Sequence, residues 1–162
     1  MMPATKILIV EDEPVHAEAL RHVIEHSEGG LRTELAATWQ AASALLTRER
    51  FSLIVLDLCL PDVKGLDTVK RALTEANGTP IVIFTATGNQ QTIEAARGLG
   101  VKSFLVKGDV DNRLLMDSIW RRLEEANRIK AESSVAQLHA ELKEIYLQLG
   151  TVIASMKAGQ NN

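Results

Sequence analysis

The chain has 162 residues, 46% of them hydrophobic, and a formal net charge of −3. That length suits one domain with a short appendage, and the balanced charge excludes a chain-wide nucleic-acid surface. The single cysteine, Cys59, excludes an internal disulfide and thiolate metal clusters. No apolar run reaches the length of a membrane span, and MMPATKILIV lacks the long apolar segment of a signal peptide, so a soluble cytoplasmic protein is expected.

Lys6 to Val10 (KILIV) reads as a short buried strand. Pro14 to about His26 reads as a helix, with proline in the favoured first turn, and Gly29-Gly30 stops it. Leu31 to Ala36 is a weaker strand. Thr38 can cap the Ala/Leu-rich helix that runs to about Arg48. Ser52 to Leu56 is a strand, Leu66 to Ala76 a helix closed by Asn77-Gly78, and Ile81 to Thr85 a strand. Asn89 can cap a helix to Leu99, Ser103 to Val106 is the fifth strand, and Asp111 caps a long final helix. Val/Ile/Leu-rich runs without alternation indicate strands buried on both faces. The expected fold is therefore an α/β, doubly wound (βα)₅ parallel sheet covered by helices, with right-handed crossovers.

In open sheets of this kind, ligands bind at the carboxyl ends of the strands. Glu11, Asp12 and Glu13 follow the first strand, Asp57 ends the third, Thr85 ends the fourth, and Lys107 follows the fifth. Packing gives no reason to gather acids, because like charges held close raise each other's pKa. A hard divalent cation relieves the repulsion, and Mg²⁺ needs only two or three carboxylates because it keeps several waters. A carboxylate can also act as a nucleophile and form an acyl phosphate. Asp57 would attack phosphorus, Lys107 with Mg²⁺ would neutralise the transferring oxygens, and Thr85 would donate to the phosphoryl product. Glu13 reads as a solvated helix-start acid, and His16, His22 and His26 as helix-surface residues. Cys59 has no evident activating partner; its thiol reads as structural or as a modulator of phosphate lifetime.

Four segments, 7-ILIVEDEP-14, 53-LIVLDLCLPDVKG-65, 80-PIVIFTA-86 and 103-SFLVKG-108, together resemble the receiver domain of bacterial two-component response regulators over roughly residues 5 to 125. The resemblance implies a flavodoxin-like fold with strand order 2-1-3-4-5, an order of which a member of this family is a standard example. It implies Asp57 as phospho-acceptor and Glu11 and Asp12 as the acidic pair that organises Mg²⁺, with the main-chain carbonyl of Cys59 as a further ligand. Thr85 would be the switch hydroxyl, Lys107 the phosphate-contacting lysine and Phe104 the switch aromatic, whose other reading is plain core packing. The phosphoryl donor would be a phosphohistidine on a sensor histidine kinase or a phosphotransfer protein. Two positions depart from the pattern. Gly108 stands where most receivers have a cis proline; a cis bond without proline costs about 2.5–4 kcal/mol, so a trans bond and a differently shaped loop are expected. Glu11 stands where aspartate is commoner, and its longer side chain can still reach the metal through a water.

Residues 1–125 are thus expected to form the receiver and 126–162 a helical extension, too short for a DNA-binding or catalytic output domain. In the extension Val135, Leu138, Leu142, Ile145, Leu149, Val152 and Met156 recur at alternating steps of three and four, a heptad seam. The polar stretch 127-NRIKAESS-134 leaves two possibilities: the helix runs through it, or it breaks near Ser133 and restarts on a capping box of Ser134 and Gln137. An isolated amphipathic helix must bury its seam, and a homodimer is expected over folding back on the receiver. His139 in LHAEL lacks the acidic neighbour of a phosphoacceptor-histidine helix. The expected function is a phosphorylated signalling switch, not an enzyme beyond slow self-phosphorylation and self-dephosphorylation, with no direct nucleic-acid or membrane partner. One alternative is the receiver module of a larger kinase or cyclase protein, although KAGQNN reads like a natural terminus. The other, a Mg²⁺-dependent aspartyl-phosphate hydrolase, would need an acid at the position of Cys59.

Overall fold

The computed structural model describes residues 4–161. Its elements run β1 (Lys6–Val10), α1 (Pro14–Glu25), β2 (Arg32–Ala36), α2 (Trp39–Arg48), β3 (Leu53–Leu56), α3 (Leu66–Glu75), β4 (Ile81–Thr85), α4 (Gln90–Gly98), β5 (Ser103–Val106) and α5 (Asn112–Gln160). The five strands form one parallel sheet in the order β2-β1-β3-β4-β5. β2 and β3 each start one residue later than the sequence reading places them. Leu31, outside β2, is nonetheless buried.

Successive residues of a strand face opposite sides of the sheet, and here both sides are covered. Leu8, Val10, Ile54, Leu56, Ile81 and Ile83 pack with residues of α2, α3 and α4. Ile7, Ile9, Leu53, Val55 and Val82 pack with Leu20 and Ile24 of α1 and with Leu115, Ile119 and Leu123 of α5. This double burial is why the strands read as unbroken apolar runs.

The caps form as expected. Thr38 accepts from the N–H of Ala41, Asn89 from that of Thr92 and Asp111 from that of Leu114. Among the described residues no peptide bond is cis, and Gly108 has φ +91°, a region closed to proline. The bond before Gly108 is therefore trans, as the Lys-Gly pair leads one to expect.

The backbone groups into two compact units, Met1–Glu124 and Glu125–Asn162. The second unit is helical through residue 160, including the whole of 127–134. The capping box does not form. Ser134 Oγ instead donates to the carbonyl of Lys130 at 2.9 Å, and Gln137 Nε2 to Glu141 Oε1 at 3.1 Å, so both side chains serve the interior of one helix. The seam residues of this unit are about half exposed along its length. No described helix is long and apolar enough to cross a membrane.

Candidate functional site

The loops that leave β1, β3, β4 and β5 at their carboxyl ends converge on one point. Ladder hydrogen bonds continue one residue past β1 and β3: Glu11 N–H donates to Ala36 O at 2.9 Å and Asp57 N–H to Val10 O at 3.0 Å. The two acids are thereby held on the rigid sheet, and Asp57 is only 6% exposed. The loop after Asp57 closes tightly. Leu60 N–H reaches Val63 O, Gly65 N–H reaches Leu58 O, and α3 begins at once. The Pro61–Gly65 stretch thus turns the chain away while leaving the carboxylate facing the edge.

Carboxylate oxygens of Glu11, Asp12 and Asp57 lie within 4.8 Å of one another. Lys107 Nζ stands between two of them, donating to Glu11 Oε2 and, at 3.2 Å, to Asp57 Oδ2, with its ammonium 5.7 Å from the centre of the Phe84 ring. Fully buried Thr85 donates to Asp57 Oδ1 at 2.8 Å, and the N–H of Cys59 reaches the same oxygen at 3.2 Å. Thr87 Oγ1 lies 3.3 Å from both Thr85 Oγ1 and Cys59 Sγ. The six residues singled out as acids, hydroxyl, amine and main-chain ligand are therefore gathered in one place. Phe104 is half-buried, packed against the core cluster on the α2–α4 side. It is reached by the β4–α4 loop: a Cβ on Gly88 would lie 3.0 Å from the Phe104 ring and 2.7 Å from Val106.

Burial raises the Glu11 carboxyl above the usual glutamate range and the charge of Asp57 adds to this, while the Lys107 bond and the N–H of Glu13 oppose it. Burial by itself lowers the Lys107 ammonium, but the Glu11 bond and the charges of Asp57 and Glu11 outweigh it and hold the amine above its ordinary value. Three carboxylates, Glu11 and Asp57 buried and Asp12 exposed, thus gather about one ammonium, an excess of negative charge. That donor set fits a small divalent cation with oxygen ligands.

Two contributors escaped the sequence reading. Asp62, in the loop after β3, accepts from the N–H groups of Trp39 and Gln40 at 3.0 and 2.9 Å, so the loop beside the site also caps α2. Gly88 has no side chain where one would displace Phe104. Neither has a local signal, because each partner is brought up only by tertiary folding. His22 and His26 stack on the exposed side of α1 with ring centroids 4.0 Å apart, away from this edge.

Residues 7–119 match the response regulator receiver domain family. The chain is 31% identical over 140 residues to the transcriptional regulatory protein CitB of Klebsiella pneumoniae, covering 86% of this chain and 59% of that protein. It is 36% identical over 108 residues to the response regulator protein PilR of Pseudomonas aeruginosa, covering 65% of this chain and 23% of that protein. The chain therefore spans only part of the length of these curated relatives. Among solved structures, a receiver domain protein from Methanospirillum hungatei superposes with a TM-score of 0.70 at 25% identity, covering 78% of this chain and 98% of that one. A two-component response regulator from Clostridium difficile does so with 0.68 at 26%, covering 76% and 98%.

Proposed function

The chain belongs to the response regulator receiver family, and from that premise we propose that it is a cytoplasmic two-component switch phosphorylated on Asp57. The observation that carries this reading is the junction at Asp57. One oxygen accepts from Thr85 and the other from Lys107, and two further carboxylates stand close by. A sensor histidine kinase or phosphotransfer protein would supply the group from a phosphohistidine. An Asp57 oxygen forms the new O–P bond, the N–P bond breaks, and the imidazole leaves with the electron pair.

Glu11, Asp12, Asp57 and the main-chain carbonyl of Cys59 would hold Mg²⁺, which when bound offsets charge on the phosphoryl oxygens. Lys107 contributes its ammonium to the same oxygens. Thr85, now spent on the Asp57 carboxylate, would turn its hydroxyl to the phosphoryl group, and Phe104 would move into the space the threonine leaves. A fixed new charge that re-aims one hydroxyl and one lysine is the kind of local event that repacks loops. The β4–α4 loop, resting on Phe104 through Gly88, is placed to follow.

Residues 1–125 act as the receiver and 126–162 as the output segment, which joins two copies through its seam. CitB is named a transcriptional regulator. In this chain residues 126–160 lie in one helix of mixed charge, a segment better suited to contact with protein than with DNA. Signalling rather than turnover is favoured because Cys59 offers no general acid beside Asp57.

The test is fluorine NMR of beryllofluoride, a phosphoryl mimic, added with Mg²⁺. Bound resonances are expected for the unmodified chain and should vanish with EDTA or Asp57→Asn. Bound resonances that survive Asp57→Asn would place the acceptor elsewhere.

A further inference from the structure

The exposed seam of residues 126–160 carries information about direction as well as about pairing. With heptad positions lettered a to g, Val135, Leu142, Leu149 and Met156 fall at a, and Leu138, Ile145 and Val152 at d. The same frame extends upstream to Arg128 at a and Ala131 at d, and downstream to Gly159 at d. All of these lie in one unbroken helix.

Parallel, in-register pairing suits this frame poorly. Two-stranded parallel coils favour β-branched residues at a and leucine at d, whereas the central heptads here have leucine at a (Leu142, Leu149) and β-branched residues at d (Ile145, Val152), a pattern that in parallel coils shifts the preference to three or four strands. Parallel pairing would also set Arg128 against its own copy inside the seam, like charge on like charge, and would leave Ala131 facing Ala131 across a gap.

Antiparallel pairing sets each a residue against a d residue of the partner, and one register resolves every conflict. In it Leu142 meets Ile145, Leu138 meets Leu149 and Val135 meets Val152. Ala131, the smallest core residue, meets Met156, long and adaptable enough to fill the space. Arg128 meets Gly159, where no side chain obstructs it, and its charge lies at the partner helix's carboxyl end, the negative end of the helix dipole. A shift of one heptad loses these matches. In one direction it puts Arg128 on Val152 and Met156 on Glu124; in the other it sets Val135 against Gly159.

We infer that the 126–160 helix pairs with a second copy of itself in antiparallel fashion, with Val135 of one chain opposite Val152 of the other. This rests on the reading of the extension as a dimerisation segment and adds its direction. The two residue-125 ends then lie about 55 Å apart along the pair.

Disulfide trapping tests it in a Cys59→Ser background, which removes the only native thiol. Val135→Cys and Val152→Cys chains should cross-link on oxidation when mixed, and neither should do so alone. If each self-links, the pairing is parallel and the inference fails while the dimer stands. If light scattering of the unmodified chain gives a monomer, the dimer reading fails and the inference with it. Should the substitutions weaken the seam, spin labels on outward-facing Ala158→Cys give a second measurement. Antiparallel tails hold the labels about 45 Å apart, and a short distance between adjacent labels would overturn the proposal.

Discussion

Lys107 occupies the place where positive charge is needed, donating to Glu11 and Asp57 together. On the proposed reading it would compete with a cation for these carboxylates and cooperate with it once a phosphoryl group is bound. Lys107→Met should tighten Mg²⁺ binding severalfold, since an ammonium beside the cation is removed, and should weaken beryllofluoride binding about tenfold or more, since a charge-assisted donor is lost. Two calorimetric titrations would show the opposite signs; a lysine of purely structural use would move both the same way. A second residue-scale test lies across the sheet. Thr33 donates both its hydroxyl, at 2.6 Å, and its N–H, at 3.0 Å, to Glu25, and the hydroxyl bond is the chief cause holding the Glu25 carboxyl below its ordinary 4.5. A depressed folded pKa contributes stability that is present above the unfolded value and is lost as pH falls through the folded one. Thr33→Val should lower stability at neutral pH and flatten its decline below about pH 4.5, as urea titrations across that window would show. The acids, Thr85 and Lys107 were legible in the sequence because each sits at or just past a strand end, where local pattern fixes position. The Glu25–Thr33 pair and the Asp62 cap were not, because their partners share no periodicity and meet only after folding.

At the scale of elements, two junctions hold helices to the receiver. Asp62 supplies both carboxylate oxygens to the first free N–H groups of α2. Burial alone would raise its carboxyl, but those two donors outweigh it and hold the group below its usual value. Asp62→Ala should cost about 1 kcal/mol of stability in chemical denaturation, with no gain from Asp62→Asn beyond partial recovery. The second junction is Gly29, where an added Cβ would come within 2.5 Å of the Trp120 ring of α5, at a φ of +112° that itself disfavours a side chain. Gly29→Ala should destabilise the fold by about 1–3 kcal/mol and shift the tryptophan emission as Trp120 is displaced. Helices and strands were readable to within a residue or two because unbroken apolar runs and helix-period segments alternate along the chain. The continuity of α5 through 127–134 was not, because Ser134 can cap a new helix or bond back to the preceding turn, and only the conformation of the preceding residues decides which.

At the scale of the whole molecule, α5 is one continuous helix whose first part packs Leu115, Ile119 and Leu123 into the sheet's core. The fold class was legible because doubly buried strands and short crossovers leave few topologies, and the strand order came from the resemblance of four segments to the receiver domain. The antiparallel register proposed for the last helix rests on that helix being unbroken, which puts Arg128 and Ala131 in the same frame as Met156 and Gly159. Everything downstream depends on Asp57 taking a phosphoryl group. The decisive measurement is intact mass spectrometry after incubation with acetyl phosphate and Mg²⁺. The account predicts a gain of one phosphoryl group per chain, lost on adding EDTA beforehand and absent in Asp57→Asn. No gain in the unmodified chain, or an equal gain in Asp57→Asn, would contradict it.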